Sequence, residues 1–117
     1  MPTEYILNED QEKWLTALES GEYKQCSLKL FDGEKFCCLG VGCAVLGMKE
    51  DELEGHKSLL GSRETAGVMS TLKLRSPTGI AIHATMPSLT QLNDRKGLTL
   101  KQIAGVIRDD PSVYFHE

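Results

Sequence analysis

The sequence predicts a small α+β domain, four to five short helices packed on a β-hairpin with a short third strand. Three observations point there: a helical apolar stripe near the start, a two-residue apolar period around Asp32-Gly33, and a strong amphipathic pattern from Leu100 to Ile107. With 117 residues, 40% of them hydrophobic and 26% charged, the chain has the composition of one globular domain spanning residues 1–117.

Asn8, followed by Glu9, Asp10 and Gln11, has the form of a helix start: a side-chain acceptor, acids facing the positive end of the dipole, and an amide three residues on. Leu7, Gln11, Trp14, Leu15 and Leu18 share one face and Gly21 suits a left-handed stop, so a helix is expected over 9–20. From Gln25 the period becomes two, with Cys26, Leu28 and Leu30 alternating against Ser27, Lys29 and Phe31. Asp32-Gly33 then marks a hairpin over 25–37. Two registers compete, Phe31 opposite Glu34 or Phe31 opposite Phe36; the second brings two aromatic rings together and is preferred.

Leu39 to Leu46 reads as a short buried helix. Gly40 and Gly42 inside it each cost about 1 kcal/mol relative to alanine, so another backbone is expected to approach closely. Met48 to Ser62 has no usable period and reads as a long surface loop, functional or mobile. Thr65, Val68, Met69 and Leu72 have helical spacing, Ser76-Pro77-Thr78-Gly79 a turn, and Ile80-Ala81-Ile82 the pattern of a short third strand. Ser88 caps a helix through Asn93 with Gly97 beyond it, and Thr99 with Gln102 forms a capping box for a last helix that Asp109-Asp110-Pro111 ends.

Thirteen basic against seventeen acidic residues give a net charge of −4, which supplies no general attraction to nucleic acid. No apolar run reaches the ~18 residues of a membrane span, and Met1-Pro2-Thr3-Glu4 lacks the features of a secretory leader, so a cytoplasmic protein with four reduced cysteines and no membrane partner is expected. Cys26, Cys37, Cys38 and Cys43 with His56, His83 and His116 could supply zinc ligands. Their spacing lacks the paired ligands of structural zinc sites, so neither metal nor cofactor is expected. Gly42 to Gly47 with Lys49 lacks the lysine position and hydroxyl of a phosphate loop, and Gly40-Val41-Gly42 lacks the third glycine of a dinucleotide site.

Cys37 or Cys38 near a helix start could serve as the nucleophile of a thiol-dependent enzyme with His83 as base, but the apolar neighbours Phe36, Leu39 and Val41 predict burial. Leu98 to Ile107 resembles the first helix of a helix-turn-helix, the basis of a DNA-binding alternative through the C-terminal helix pair; Pro111 leaves no room for a recognition helix. Nucleic acid is therefore a minor expectation, and self-association is open.

Trp14-Leu15-Thr16-Ala17-Leu18-Glu19-Ser20-Gly21-Glu22-Tyr23-Lys24-Gln25, then Phe36-Cys37-Cys38-Leu39-Gly40-Val41-Gly42-Cys43, then Leu92-Asn93-Asp94 ahead of Ile103-Ala104, cover about a third of the chain. Together they resemble a family of small uncharacterised proteins of tailed bacteriophages and prophages. That resemblance implies expression in an infected bacterium and a non-enzymatic accessory protein that binds a host or defence component, either a protein or a sequestered nucleotide-like signal. For a small anionic ligand the candidate contacts are Arg63, Lys73 and Arg75 as cations, Tyr23 as a stacking ring, and Gln25, Asn93 and Asp94 as polar groups.

Overall fold

In the computed structural model the described residues are 5–26, 29–53, 59, 63–82 and 86–116. Helix α1, Glu9–Ser20, starts where the sequence places it. Asn8 accepts the Gln11 N–H at 2.7 Å, the Gln11 side chain returns to the Asn8 N–H at 2.8 Å, and Gly21 closes the helix at φ 78°. Its buried residues Gln11, Trp14, Leu15 and Leu18 form the predicted stripe.

Three two-residue strands follow: β1 (Lys24–Gln25), β2 (Phe31–Asp32) and β3 (Lys35–Phe36), in the sheet order β1-β3-β2. β2 and β3 form the hairpin with Phe31 opposite Phe36, the preferred register, and the rings lie 4.9 Å apart. Asp32 pairs with Lys35, leaving Gly33-Glu34 as the turn, and Gly33 takes φ 67°, as a tight hairpin loop requires. The hairpin is shorter than the 25–37 expected. Gln25 belongs to β1, which runs parallel to β3, a pairing that needs the chain to reverse direction twice between the two strands. The alternation expected at Ser27 and Leu28 lies outside the described residues.

Helix α2, Cys38–Val45, is the glycine-bearing buried helix, and its close neighbours are now identified. A Cβ on Gly40 would fall on the carbonyl of Leu30, and one on Gly42 would meet Leu72 Cδ1 at 3.0 Å and Trp14 Nε1 at 3.3 Å. The Trp14 indole donates to the Cys38 carbonyl at 2.8 Å, satisfying its only polar atom inside the core.

The segment expected to be loop contains a single turn of helix, α3 (Glu50–Leu53), started by Glu52 accepting the Lys49 N–H at 2.9 Å; residues 54–58 and 60–62 lie outside the described residues. α4 is Arg63–Thr71, α5 is Leu89–Asp94 and α6 is Leu100–Asp109, followed by a 3-10 turn at Pro111–Val113. With α3, that makes six α-helices among the described residues, against four to five expected. The expected Thr99–Gln102 capping box forms, and Ser88, expected as a cap, also makes a capping box with Gln91.

The predicted strand at Ile80–Ile82 does not form. The Ser76 hydroxyl takes the Ile80 N–H at 3.0 Å and the Val113 carbonyl takes the Ile82 N–H at 2.7 Å, so the segment's donors are spent on a turn and a 3-10 helix instead of a ladder. Ala81 is buried, while Ile80 and Ile82 are about half exposed.

α6 lies against α1 and buries Leu100, Ile103, Ala104 and Ile107. Arg108 on α6 grips Glu19 through Nε and Nη2 at 2.8 and 3.0 Å and Glu12 through Nη1 at 2.8 Å, and these bonds hold its pKa above the usual guanidinium value. Behind both helices Tyr114 and Phe115 are fully buried, and the Phe115 ring meets Trp14 edge-on at 5.9 Å.

Candidate functional site

Gly21 ends α1 and turns the chain toward β1, leaving half-buried Tyr23 directly before that strand. Its ring meets Phe36 edge to face, 5.4 Å between centroids at 86°. These rings, with Ala44 at the end of α2 and Met48 just beyond it, wall an open groove of about 770 Å³. Its rim carries carboxylates at Glu22, Glu34 and Asp51 and ammonium groups at Lys24 and Lys49. The Lys24–Glu34 pair, at 3.7 Å and largely exposed, adds little energy. The groove therefore offers an apolar, aromatic wall inside a mixed charged rim.

The side-chain amide of Asn93 stands between two segments of the chain. Cys26 N–H bonds the Phe36 carbonyl at 3.0 Å, and in a parallel ladder the next bond would join the Cys26 carbonyl to the Cys38 N–H. Asn93 fills that place: Nδ2 donates to the Cys26 carbonyl at 2.7 Å and Oδ1 accepts the Cys38 N–H at 3.3 Å. Nδ2 also reaches Asp94 Oδ1 at 2.8 Å. Gln25 Nε2 donates to Asn93 Oδ1 at 2.9 Å and to the Leu98 carbonyl at 2.7 Å. Asn93 is 3% exposed, so these bonds have no ready replacement by water. Asn93→Ala is expected to lower the unfolding free energy by about 2–3 kcal/mol, since buried backbone groups at Cys26 and Cys38 lose their partner; urea titration followed by the single tryptophan measures it.

The sequence-predicted site residues thus separate. Tyr23 lines the groove. Gln25 and Asn93 are spent on the internal amide network, and Asp94 joins it while also lining a second cavity of about 480 Å³ with Thr78, Ser88 and Arg95. Arg75 Nη2 donates to the carbonyls of Ser112 and Phe115 at 2.9 and 3.1 Å, fixing the C-terminal segment, and its buried Nε has no hydrogen-bond partner. Lys73 has φ 59° and its carbonyl accepts the His116 N–H at 2.8 Å, so its backbone closes α4 onto the same segment. Arg63 is exposed at the first residue of α4. Neither the groove nor a smaller cavity of about 200 Å³ beside Tyr23 and Gln25 is lined by any of these three cations.

Sequence reasoning missed Glu22, Glu34, Met48, Lys49 and Asp51 as site residues. The only signal for three of them was that Met48–Ser62 was long enough to be functional; their meeting with Tyr23 depends on the parallel strand pair.

All four cysteines are free and buried. Cys37 caps α2, its sulfur accepting the Gly40 N–H at 3.4 Å, and burial pushes its thiol up to about 12 despite that bond. Burial likewise lifts Cys43 to about 12 and raises Cys38 well above its ordinary value, while Cys26 is raised by burial and then by Asp32 and Asp94. Such thiols are poor nucleophiles at neutral pH. Among the described residues no three His, Cys, Asp or Glu side chains group to hold a metal; His56 and His83 lie outside them. Nor is any described helix long and apolar enough to cross a membrane.

Fold and groove define a small α+β protein with buried thiols and an open groove. The chain belongs to the family described as "Domain of unknown function (DUF8296)", which matches residues 7–84. That match ends before α5 and α6, although Asn93 and the α6 face stand in the same core as α1 and α2. No curated protein and no solved structure matches the chain.

Proposed function

We propose that this is a non-enzymatic accessory protein of bacteriophage type that binds a host or defence protein through the groove walled by Tyr23, Phe36 and Met48. The observation that carries the reading is the groove itself, where half-buried Tyr23 and Met48 and the buried Phe36 ring line an opening together with five charged side chains. The resemblance of the three sequence blocks to phage and prophage proteins is the support for that origin. The rim favours a protein over a nucleotide-like signal: three carboxylates face two lysines, and Arg75, the strongest phosphate-binding candidate, is occupied by backbone carbonyls. Catalysis by Cys37 or Cys38 is disfavoured by the lifted thiols, and DNA binding through the C-terminal helices by the burial of the α6 apolar face against α1.

The test is recovery of tagged protein from phage-infected bacteria, wild type beside Met48→Lys, with mass spectrometry of protein and small-molecule passengers. A stoichiometric protein partner, reduced at least tenfold by the substitution at unchanged thermal stability, is expected. A partner retained by Met48→Lys, or a nucleotide passenger with no protein, overturns the reading.

A further inference from the structure

The parallel register runs Lys24 opposite Lys35 and Gln25 opposite Phe36, so the next step sets Cys26 opposite Cys37. The bond from Cys26 N–H to the Phe36 carbonyl at 3.0 Å holds the two segments together at that step, and Asn93 ties the Cys26 carbonyl to the Cys38 N–H just beyond it. Neighbouring strands lie about 4.8 Å apart, and residues in register point to the same face. A disulfide accepts Cα separations of roughly 4.4–6.8 Å. Independently, Cys26 contributes to the raised pKa of Cys37, as a second sulfur nearby does.

We infer that Cys26 and Cys37 are a redox modification site, closing to an intramolecular disulfide in the presence of hydrogen peroxide. The Cys26 sulfur attacks a peroxide oxygen, the O–O bond breaks, and water leaves once the thiol proton is transferred, giving a sulfenic acid. The Cys37 sulfur then displaces the sulfenic oxygen, which leaves as a second water. Two thiols are oxidised by two electrons and one peroxide is reduced.

The other thiols are excluded by where they point: Cys38 is fully buried with its sulfur directed to the Leu89 carbonyl at 3.7 Å, and Cys43 lies further along α2. Closing the bond costs two weak interactions, Cys26 sulfur to the Lys29 carbonyl at 3.4 Å and the Cys37 sulfur cap on Gly40 N–H. Burial makes the step slow at neutral pH, as for any thiol with little thiolate. The crosslink would join β1 to β3 one residue behind Tyr23's partner Phe36, at the base of the groove.

The experiment exposes native full-length protein to hydrogen peroxide, then counts thiols after denaturation and maps linked tryptic peptides. Four free thiols are expected to fall to two, with dithiothreitol restoring all four. In the Cys38→Ala/Cys43→Ala double variant two should fall to none, which assigns the link to Cys26 and Cys37. Cys26→Ser should lose thiols at least tenfold more slowly while keeping the native circular dichroism spectrum. Four thiols retained, a link through Cys38 or Cys43, or only intermolecular dimers overturns the assignment. None of these outcomes depends on a partner occupying the groove.

Discussion

Gly40→Ala is expected to abolish stable folding or to remove at least about 3 kcal/mol of stability, the upper range for overpacking a close-packed site. In an isolated helix the same change would help by about 1 kcal/mol, because alanine is the better helix former. The sign reverses because the added methyl falls on the Leu30 carbonyl, a backbone atom that cannot rotate away. Leu30 is itself fixed, its carbonyl accepting the Cys37 N–H at 3.1 Å, so relief would require α2 to leave the hairpin. Against a typical total of 5–15 kcal/mol, that loss decides whether the chain folds. Urea unfolding followed by Trp14 emission measures it. Gly67→Ala in α4 and Gly105→Ala in α6 are the controls: nothing lies within 4 Å of a Cβ at either, and each should gain about 0.5–1 kcal/mol. Destabilisation of all three variants would show that contact with Leu30 is not the cause.

A second large effect is expected at alkaline pH. Unfolded cysteines titrate near 8.5, whereas folded Cys37 and Cys43 titrate at about 12 and burial raises Cys38 well above its ordinary value. The folded state therefore keeps protons that the unfolded state releases. The resulting stability is fully present below about pH 8.5 and is lost as pH rises toward the folded values. Each thiol contributes a slope of about 1.4 kcal/mol per pH unit once its unfolded form is ionised, so three together give about 4 kcal/mol per unit above roughly pH 9. Urea midpoints should be flat from pH 6 to 8 and fall steeply between pH 9 and 10.5. Cys43→Ala should flatten the fall by about a third. An unchanged slope in that variant would mean that Cys43 is not the buried thiol described.

Wherever the controlling contacts are local, they were legible in the sequence. The three capping boxes at Asn8, Ser88 and Thr99 each close over three residues, so residue type and spacing suffice to place the helix starts. The buried faces of α1 and α6 followed from periodicity, and the aromatic pairing of Phe31 with Phe36 from the choice between two short turns. The glycines of α2 announced a close neighbour without naming it.

The site was less legible. Tyr23 was singled out from its sequence block, but its companions Met48, Lys49 and Asp51 come from a segment without period. Arg75, Gln25 and Asn93 looked available for a ligand because their partners, the carbonyls of Ser112, Phe115, Leu98 and Cys26, are distant in the chain.

The sequence by itself determined the α+β class, the helix starts and the apolar faces, since each depends on side chains within a few residues of one another; it left two hairpin registers open, of which the preferred one forms. Tertiary structure alone decided that β1 runs parallel to β3, that Ile80–Ile82 gives its donors to Ser76 and Val113, and that the Asn93 amide completes the ladder between Cys26 and Cys38. Those outcomes depend on which of several distant donors and acceptors meet once the core closes, and burial then makes each unmatched group too costly to leave.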